Sequence, residues 1–322
     1  MIRGLIIGKF MPIHLGHIAL IRFAAAQCNE VIVSMSYTDK DSINAELRFS
    51  WIKEIFKNDI NIKPVLIEDN FDDESLPLEE RTKKWASVIG SRYPKIHKIF
   101  SSESYGESFA RNLGATHVAF DYDRKQIAVS ATLVRDHPFQ YWNYIPDVVR
   151  PYFVKNICFY GPESTGKSTM SVRMAQLYNT EFVPEVAREL ITSNDFTVDD
   201  IIRIGYAQTE RVKEKRKVAN KMLFCDTDVI TTEIYSYHYL RIIPPVLFDL
   251  EKEVAYDYYF LFNTDTPWVA DHMRDLGEKR VEMYNVFKAE LDKRRIPYPL
   301  VTGNYEEREQ FLQHAINKIL SA

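Results

Sequence analysis

Two stretches of this 322-residue chain carry residue types at spacings that suit phosphate chemistry. The first is Gly8-Lys9-Phe10-Met11-Pro12-Ile13-His14-Leu15-Gly16-His17, which follows an apolar run and leads into a helical pattern. Two histidines three apart on such a turn bring two imidazoles to a helix N-terminus, where unpaired N–H groups and the helix dipole favour a phosphate. Imidazole suits this work because it donates hydrogen bonds and takes up charge near neutral pH. Gly8 and Gly16 leave room for phosphates and for close helix packing. The second stretch is Gly161-Pro162-Glu163-Ser164-Thr165-Gly166-Lys167-Ser168-Thr169, again between an apolar run and a helical pattern. It satisfies GxxxxGK[ST]: loop N–H groups cradle phosphates, Lys167 reaches the β and γ oxygens, and the Ser168 hydroxyl binds magnesium.

Other residues could complete the second site. The apolar run 222–225 ends in Asp226-Thr227-Asp228. Asp226 is the candidate for the magnesium shell, while Asp228 reads equally as the N-cap of a helix beginning near Ile230. In P-loop nucleoside kinases an acid after the second strand takes the proton of the substrate hydroxyl. Glu185 stands at that place, with Arg188 as a substrate or transition-state contact. The alternative is an ordinary first helical turn in which Glu is favoured by the dipole. Residues 266–280 read as a basic lid, with Arg274 or Arg280 offsetting γ-phosphate charge. Trp268 and Asp271 suit a flat cationic ring and ribose hydroxyls, or else a core aromatic and an N-cap.

These residues need a scaffold, and the patterning supplies one. Apolar runs at 4–7, 31–36, 62–67, 96–100 and 117–120 read as buried strands, alternating with helical patterns at 18–27, 45–56, 78–90 and 104–113. A second series has strands at 156–160, 181–183, 222–225, 258–262 and 299–301, with helices at 166–178, 198–219 and 306–320. Such alternation implies α/β architecture with parallel strands, twice over. The aromatic and proline-rich stretch 136–154 breaks the rhythm, giving domains 1–150 and 151–322. The acidic stretch 68–80, interrupted by Pro77, reads as a solvated loop or as a mobile substrate lid.

Composition excludes several classes. The net charge is -4 and no basic run is long enough for a polyanion-binding stripe. The basic stretch 211–221 has the spacing of a solvated helix face. Cys28, Cys158 and Cys225 form no CxxC, so neither a zinc site nor a disulfide framework is expected. The start resembles no signal peptide and no apolar run reaches the roughly 20 residues that span a bilayer, so a soluble cytoplasmic protein without nucleic-acid or membrane partners is expected.

The first motif resembles GxFxPxHxGH of the nucleotidyltransferase superfamily, and Val129-Ser130-Ala131-Thr132-Leu133-Val134-Arg135 resembles its partner, ISxTxxR. The resemblance implies a Rossmann-like domain in which Gly8, Lys9, Phe10, His14 and His17 bind ATP, with His17 on the α-phosphate. Ser130, Thr132 and Arg135 would hold the triphosphate, with magnesium assisting. Lys9 before the Phe, Met11 where many members carry Asp, and Phe120-Asp121-Tyr122-Asp123-Arg124 look like nicotinamide mononucleotide adenylyltransferases. Asp121 and Arg124 would then contact substrate, and Trp85 would stack on the nicotinamide ring or serve as core.

With Phe139-Gln140-Tyr141-Trp142, GPESTGKS, Asp226–Thr232 and Trp268-x-x-Asp271, the whole chain resembles the bifunctional nicotinamide mononucleotide adenylyltransferase/ribosylnicotinamide kinase (NadR-type) family. That implies ATP-dependent phosphorylation of nicotinamide riboside, then adenylylation of the mononucleotide to NAD, and leaves room for a homo-oligomer. Some relatives carry an N-terminal helix-turn-helix domain and repress transcription. This chain opens directly at a strand, so that role is not expected. The competing readings are the same two folds acting on another small nucleoside or vitamin, and a nucleotide sensor without turnover.

Overall fold

In a computed structural model, residues 1–73, 75–270 and 274–321 are described. The chain divides into two units, Met1–Val149 and Arg150–Ala322. The first contains β1 (Arg3–Gly8), α1 (Leu15–Ala25), β2 (Glu30–Tyr37), α2 (Ala45–Ile55), β3 (Ile62–Glu68), α3 (Leu78–Arg92), β4 (Lys98–Ser101), α4 (Tyr105–Leu113), β5 (Thr116–Ala119) and α5 (Ala131–Asp136). Its five strands are parallel in the order β3-β2-β1-β4-β5. Successive strands add outward on one side of β1, then the chain crosses to β4 on the other. The carboxyl ends of β1 and β4 therefore flank a crevice, the usual ligand position in such sheets. Leu5, Ile32, Ile67, Ile89, Ile99 and Phe109 pack together behind it.

The second unit contains α6 (Arg150–Phe153), β6 (Lys155–Tyr160), α7 (Lys167–Leu177), β7 (Phe182–Val183), α8 (Ala187–Leu190), α9 (Val198–Arg216), β8 (Met222–Asp226), α10 (Val229–Leu240), α11 (Val246–Glu253), β9 (Tyr258–Phe262), α12 (Arg280–Arg294), β10 (Leu300–Val301) and α13 (Tyr305–Ser321). The strands are parallel in the order β10-β9-β6-β8-β7. Helices cover both faces, which is why β6 reads as an unbroken apolar run. Ile157 and Phe159 pack toward Met170, Met174 and Leu312, while Cys158 and Tyr160 pack toward Ile230, Met283 and Phe287. The latter side includes α12, where sequence reading placed only the end of a lid. Met283, Phe287 and Leu291 recur every fourth residue and bury that helix.

Local chemistry fixes the helix starts. Asn44 accepts Leu47 N at 3.1 Å, Ser130 accepts Leu133 N at 3.2 Å, and Thr197 with Asp200 forms a capping box on α9. Asp228, left open by sequence, caps α10 by accepting Thr231 N at 2.9 Å. The described part of 68–80 is tied down by Asp72, whose carboxylate takes both nitrogens of the Arg81 fork at 2.9 and 2.7 Å.

Arg308 on α13 is wholly buried. It donates to Gly303 O at 2.8 Å, Asn263 O at 3.1 Å, Thr165 O and the Asp265 carboxylate. Replacing it strands three carbonyls and a carboxylate. Arg308→Met is expected to destabilise the chain by about 3–5 kcal/mol, read as a lower urea midpoint. An unchanged midpoint would show that the network contributes no net stability.

Candidate functional sites

In the first unit β1 ends at Gly8, and the chain turns through Phe10, at φ 45°, and the cis Met11–Pro12 bond into α1. His14 is the N-cap, and its Nδ1 accepts Gly16 N at 3.1 Å. An accepting Nδ1 carries no proton, so the proton of the neutral ring sits on Nε2, available as a donor. A Cβ on Gly16 would stand 3.0 Å from His14 Cε1, so glycine is what lets the ring lie there. The His14 and His17 rings stack with centroids 3.8 Å apart, and Phe10 meets His17 edge-on at 5.0 Å. His17 Nδ1 is buried without a hydrogen-bond partner among the described residues.

Both rings are held neutral. Burial, then the charge of Arg124, pushes His14 from 6.5 down to about 3. Burial, then His14 and Arg124, pushes His17 well below its ordinary value. An anion placed against the pair reverses the balance. His14, His17, Arg124, Ser130 and Thr132 line one cavity of about 170 Å³. Arg135 donates to Met11 O and, at 3.1 Å, to Thr132 Oγ1, so it ties the two motifs together.

Asp121, expected to contact substrate, lines the same cavity as His14 and His17, and its carboxylate also accepts Gln126 N and Ile127 N, each at 3.0 Å, and so shapes the loop that presents Arg124. One expectation changes here. Lys9, expected on ATP, pairs with Asp41 at 3.2 Å and lines a different cavity together with Gly8. That second cavity, about 380 Å³, holds Trp85, whose indole N–H donates to Asp72 at 3.0 Å and whose face carries the Arg81 guanidinium at 5.3 Å. Trp85 therefore lies on a cavity wall, apart from Asp121 and Arg124. Sequence reading missed Arg48, which is wholly buried and donates to Ile43 O at 2.9 Å, to Lys9 O and to Asp41 at 2.6 Å.

In the second unit the loop 161–168 wraps the N-terminus of α7. Gly161 has φ 137°, and a Cβ there would stand 2.9 Å from Phe262 O. Lys167 Nζ donates to Pro162 O at 2.8 Å, and burial lowers its pKa against the opposing charges of Asp226 and Glu185. Asp226 ends β8 fully buried; Oδ1 has no partner among the described residues, and burial raises its carboxyl while Lys167 and a bond from Ser168 oppose. Ser164, Thr165, Gly166, Ser168 and Thr169 line the phosphate cavity of about 230 Å³.

An adjoining cavity extends from this one. Glu163, Glu185, Arg188, Thr227, Thr231 and Tyr235 line both. Glu185 Oε2 accepts Arg188 Nε at 2.8 Å. Burial pushes Glu163 up to about 7 although it accepts Leu276 N at 2.8 Å. Further in lie Phe196, Ile201, Ile204, Gln208 and Tyr239. Gln208 Oε1 accepts Val186 N at 3.2 Å, and Nε2 is buried without a partner among the described residues. The signal for this residue was present: Ile201, Ile204 and Gln208 share one face of α9, a lone amide in an apolar stripe.

The residues expected to form a lid fall in different places. Arg274 lines the phosphate cavity and donates to Val269 O at 2.9 Å. Arg280 does not act as a finger here: it is the buried first residue of α12 and donates to Thr266 O and Ser164 O, each at 2.9 Å. Trp268 lines neither cavity, and its face carries the Arg280 guanidinium at 5.5 Å. Asp271 lies outside the described residues.

Fold and sites together define a two-unit nucleotide-handling protein, a nucleotidyltransferase-like sheet followed by a P-loop sheet. Residues 5–137 match the cytidylyltransferase-like family and residues 156–308 an AAA domain. The chain is 30% identical to the trifunctional NAD biosynthesis/regulator protein NadR of Escherichia coli (strain K12), over 95% of this chain and 80% of that one. It is 31% identical to the protein of that name from Salmonella typhimurium, over 85% and 72%. A crystal structure of NadR protein in complex with NAD and AMP-PNP matches with a TM-score of 0.81 at 24% identity, covering 100% of this chain and 96% of that one. The chain belongs to the NadR family.

Neutral burial of His14 has a measurable consequence. Between 6.5 and about 3 the unfolded chain binds a proton that folded His14 refuses, so the stability it contributes is present above this window and lost as pH falls through it. Replacing His14 by Gln is expected to flatten the fall in unfolding free energy across that range. A decline identical to that of the unmodified chain would contradict a neutral His14.

Proposed function

We propose that the second unit transfers the γ-phosphoryl group of ATP to the 5′-hydroxyl of nicotinamide riboside, and that the first unit joins the resulting mononucleotide to the adenylyl group of ATP, giving NAD and pyrophosphate. The observation that carries this reading is the presence of two separate phosphate cavities, each opening beside a helix N-terminus, within a chain of this family. Among the described residues no helix is long and apolar enough to cross a membrane.

In the kinase unit, loop N–H groups and Lys167 bind the β- and γ-phosphates, and Lys167 leaves Pro162 O for them. Glu185, on the wall shared by the two cavities, takes the proton of the 5′-hydroxyl as it attacks phosphorus, and Arg188 orients that carboxylate at 2.8 Å. The Ser168 hydroxyl and the unpaired oxygen of Asp226 suit magnesium, which keeps most of its shell for phosphate and water. Bound there, that ion would neutralise charge on the bridging phosphates. The rings of Phe196, Tyr235 and Tyr239 suit a flat cation such as the nicotinamide ring.

In the adenylyltransferase unit the mononucleotide phosphate is already an anion, so attack on the α-phosphorus needs no base. His14 and His17 donate hydrogen bonds to the α- and β-phosphates, and Ser130, Thr132 and Arg124 surround the leaving pyrophosphate. The Trp85 cavity takes the nicotinamide end, with the ring orientation fixed by Asp72.

With nicotinamide riboside, ATP and magnesium, chromatography should show the mononucleotide and then NAD. Lys167→Met is expected to cut the first step at least about 100-fold while added mononucleotide still gives NAD, and His17→Ala to cut the second by about 100-fold while the mononucleotide accumulates. Absence of phosphorylated riboside with the unmodified chain would overturn the reading.

A further inference from the structure

We propose that Glu163 determines acceptor specificity in the phosphoryl-transfer site, its carboxylate accepting hydrogen bonds from the vicinal hydroxyls of the acceptor's ribose. The inference rests on the proposed riboside acceptor. Glu163 is the third residue of the phosphate loop, yet it lines the acceptor cavity as well as the phosphate cavity. In its ionised form the carboxylate repels a triphosphate, so in that form it contributes nothing attractive toward ATP. Its use lies on the acceptor side.

The side chain is also held in place. Oε1 accepts Leu276 N at 2.8 Å from the segment leading into α12. The neighbouring Ser164 is fastened to the same stretch, its Oγ accepting Val269 N at 2.9 Å and its carbonyl accepting Thr266 Oγ1 at 3.1 Å. Oε2 makes no hydrogen bond among the described residues, and Oε1 keeps a second lone pair. Two oxygens of one carboxylate match two adjacent O–H donors, and charge-assisted bonds of this kind discriminate strongly against a ligand that lacks a donor. Glu185 lines the same wall and is the proposed base for the hydroxyl that reacts, so the two carboxylates would divide the sugar between them.

The test compares nicotinamide riboside with its 2′-deoxy and 3′-deoxy analogues as acceptors for the full-length protein. The unmodified chain is expected to favour the riboside by about 100-fold or more in kcat/KM. Glu163→Gln keeps an acceptor for Leu276 N but loses the charge. It is expected to lower kcat/KM for the riboside about tenfold and to shrink the riboside-to-deoxyriboside ratio to a few-fold, with KM for ATP within about twofold. Glu163→Ala should abolish the ratio, and thermal melts with and without ATP check that each variant folds and binds nucleotide. If the unmodified chain phosphorylates the riboside and either folded variant keeps the full ratio, or if KM for ATP is what moves, the role given to Glu163 is wrong. Loss of an equal factor for all three acceptors would also overturn it, because it would place the carboxylate against the cationic ring. Failure of the unmodified chain on every riboside would remove the acceptor reading itself.

Discussion

A helix N-terminus grips a phosphate only if its amide hydrogens stay unpaired and keep one direction, and such a loop left to itself would fold its amides onto its own carbonyls. Each unit answers that constraint in the same way. A wholly buried arginine takes one carbonyl of each loop, Arg48 that of Lys9 and Arg308 that of Thr165, and ties it to neighbouring segments through Ile43 O, Gly303 O and Asn263 O. With that carbonyl held, the peptide N–H on its other side is turned away from the arginine. Guanidinium suits the task because it offers five donors in a fixed plane and cannot lose its charge. The cost of burying it is offset by one carboxylate in each case, Asp41 and Asp265. The sheets matter to function mainly because β1 and β6 deliver these loops at the crevice where such braces can reach them.

Much of this was legible in the sequence, for a physical reason. Phosphate chemistry narrows the residue types, so Gly8–His17 and Gly161–Thr169 stand out, and strands covered on both faces read as unbroken apolar runs. The braces do not stand out. Arg48 and Arg308 reach carbonyls 39 and 143 residues away, and no local pattern records such a partner. Arg280 and Trp268 were read by charge and aromaticity as lid chemistry, yet the next residues carry the four-residue period of α12, which claims Arg280 for its first turn. Asp121 shows a related limit: its place on the cavity wall follows from the motif, but its bonds to two backbone N–H groups five and six residues on do not.

Burial sets the charge state of both sites in a common way. His14 and His17 are kept from protonating, while Asp226 and Glu163 are kept from ionising freely. In the proposed reactions each group meets a partner of the opposite character: an anion for the imidazoles, a cation for Asp226, hydrogen-bond donors for Glu163. Ligand binding is then coupled to charging of the site, so part of the binding free energy is spent on restoring ionised groups. A site of this kind rejects ligands that bring shape without charge.

The wall shared by the two cavities of the second unit carries this logic furthest. Phosphoryl transfer needs donor and acceptor in line, and water in the gap would compete for the same phosphorus. Six residues line both cavities, so in the proposed reaction the two substrates would share one wall. Glu163 belongs to the phosphate loop and Glu185 to the segment after β7, and both meet at that wall with Tyr235 of α10. In the proposed reaction an incoming triphosphate draws Lys167 away from Pro162 O and so changes the charge on the wall that the acceptor's hydroxyls meet.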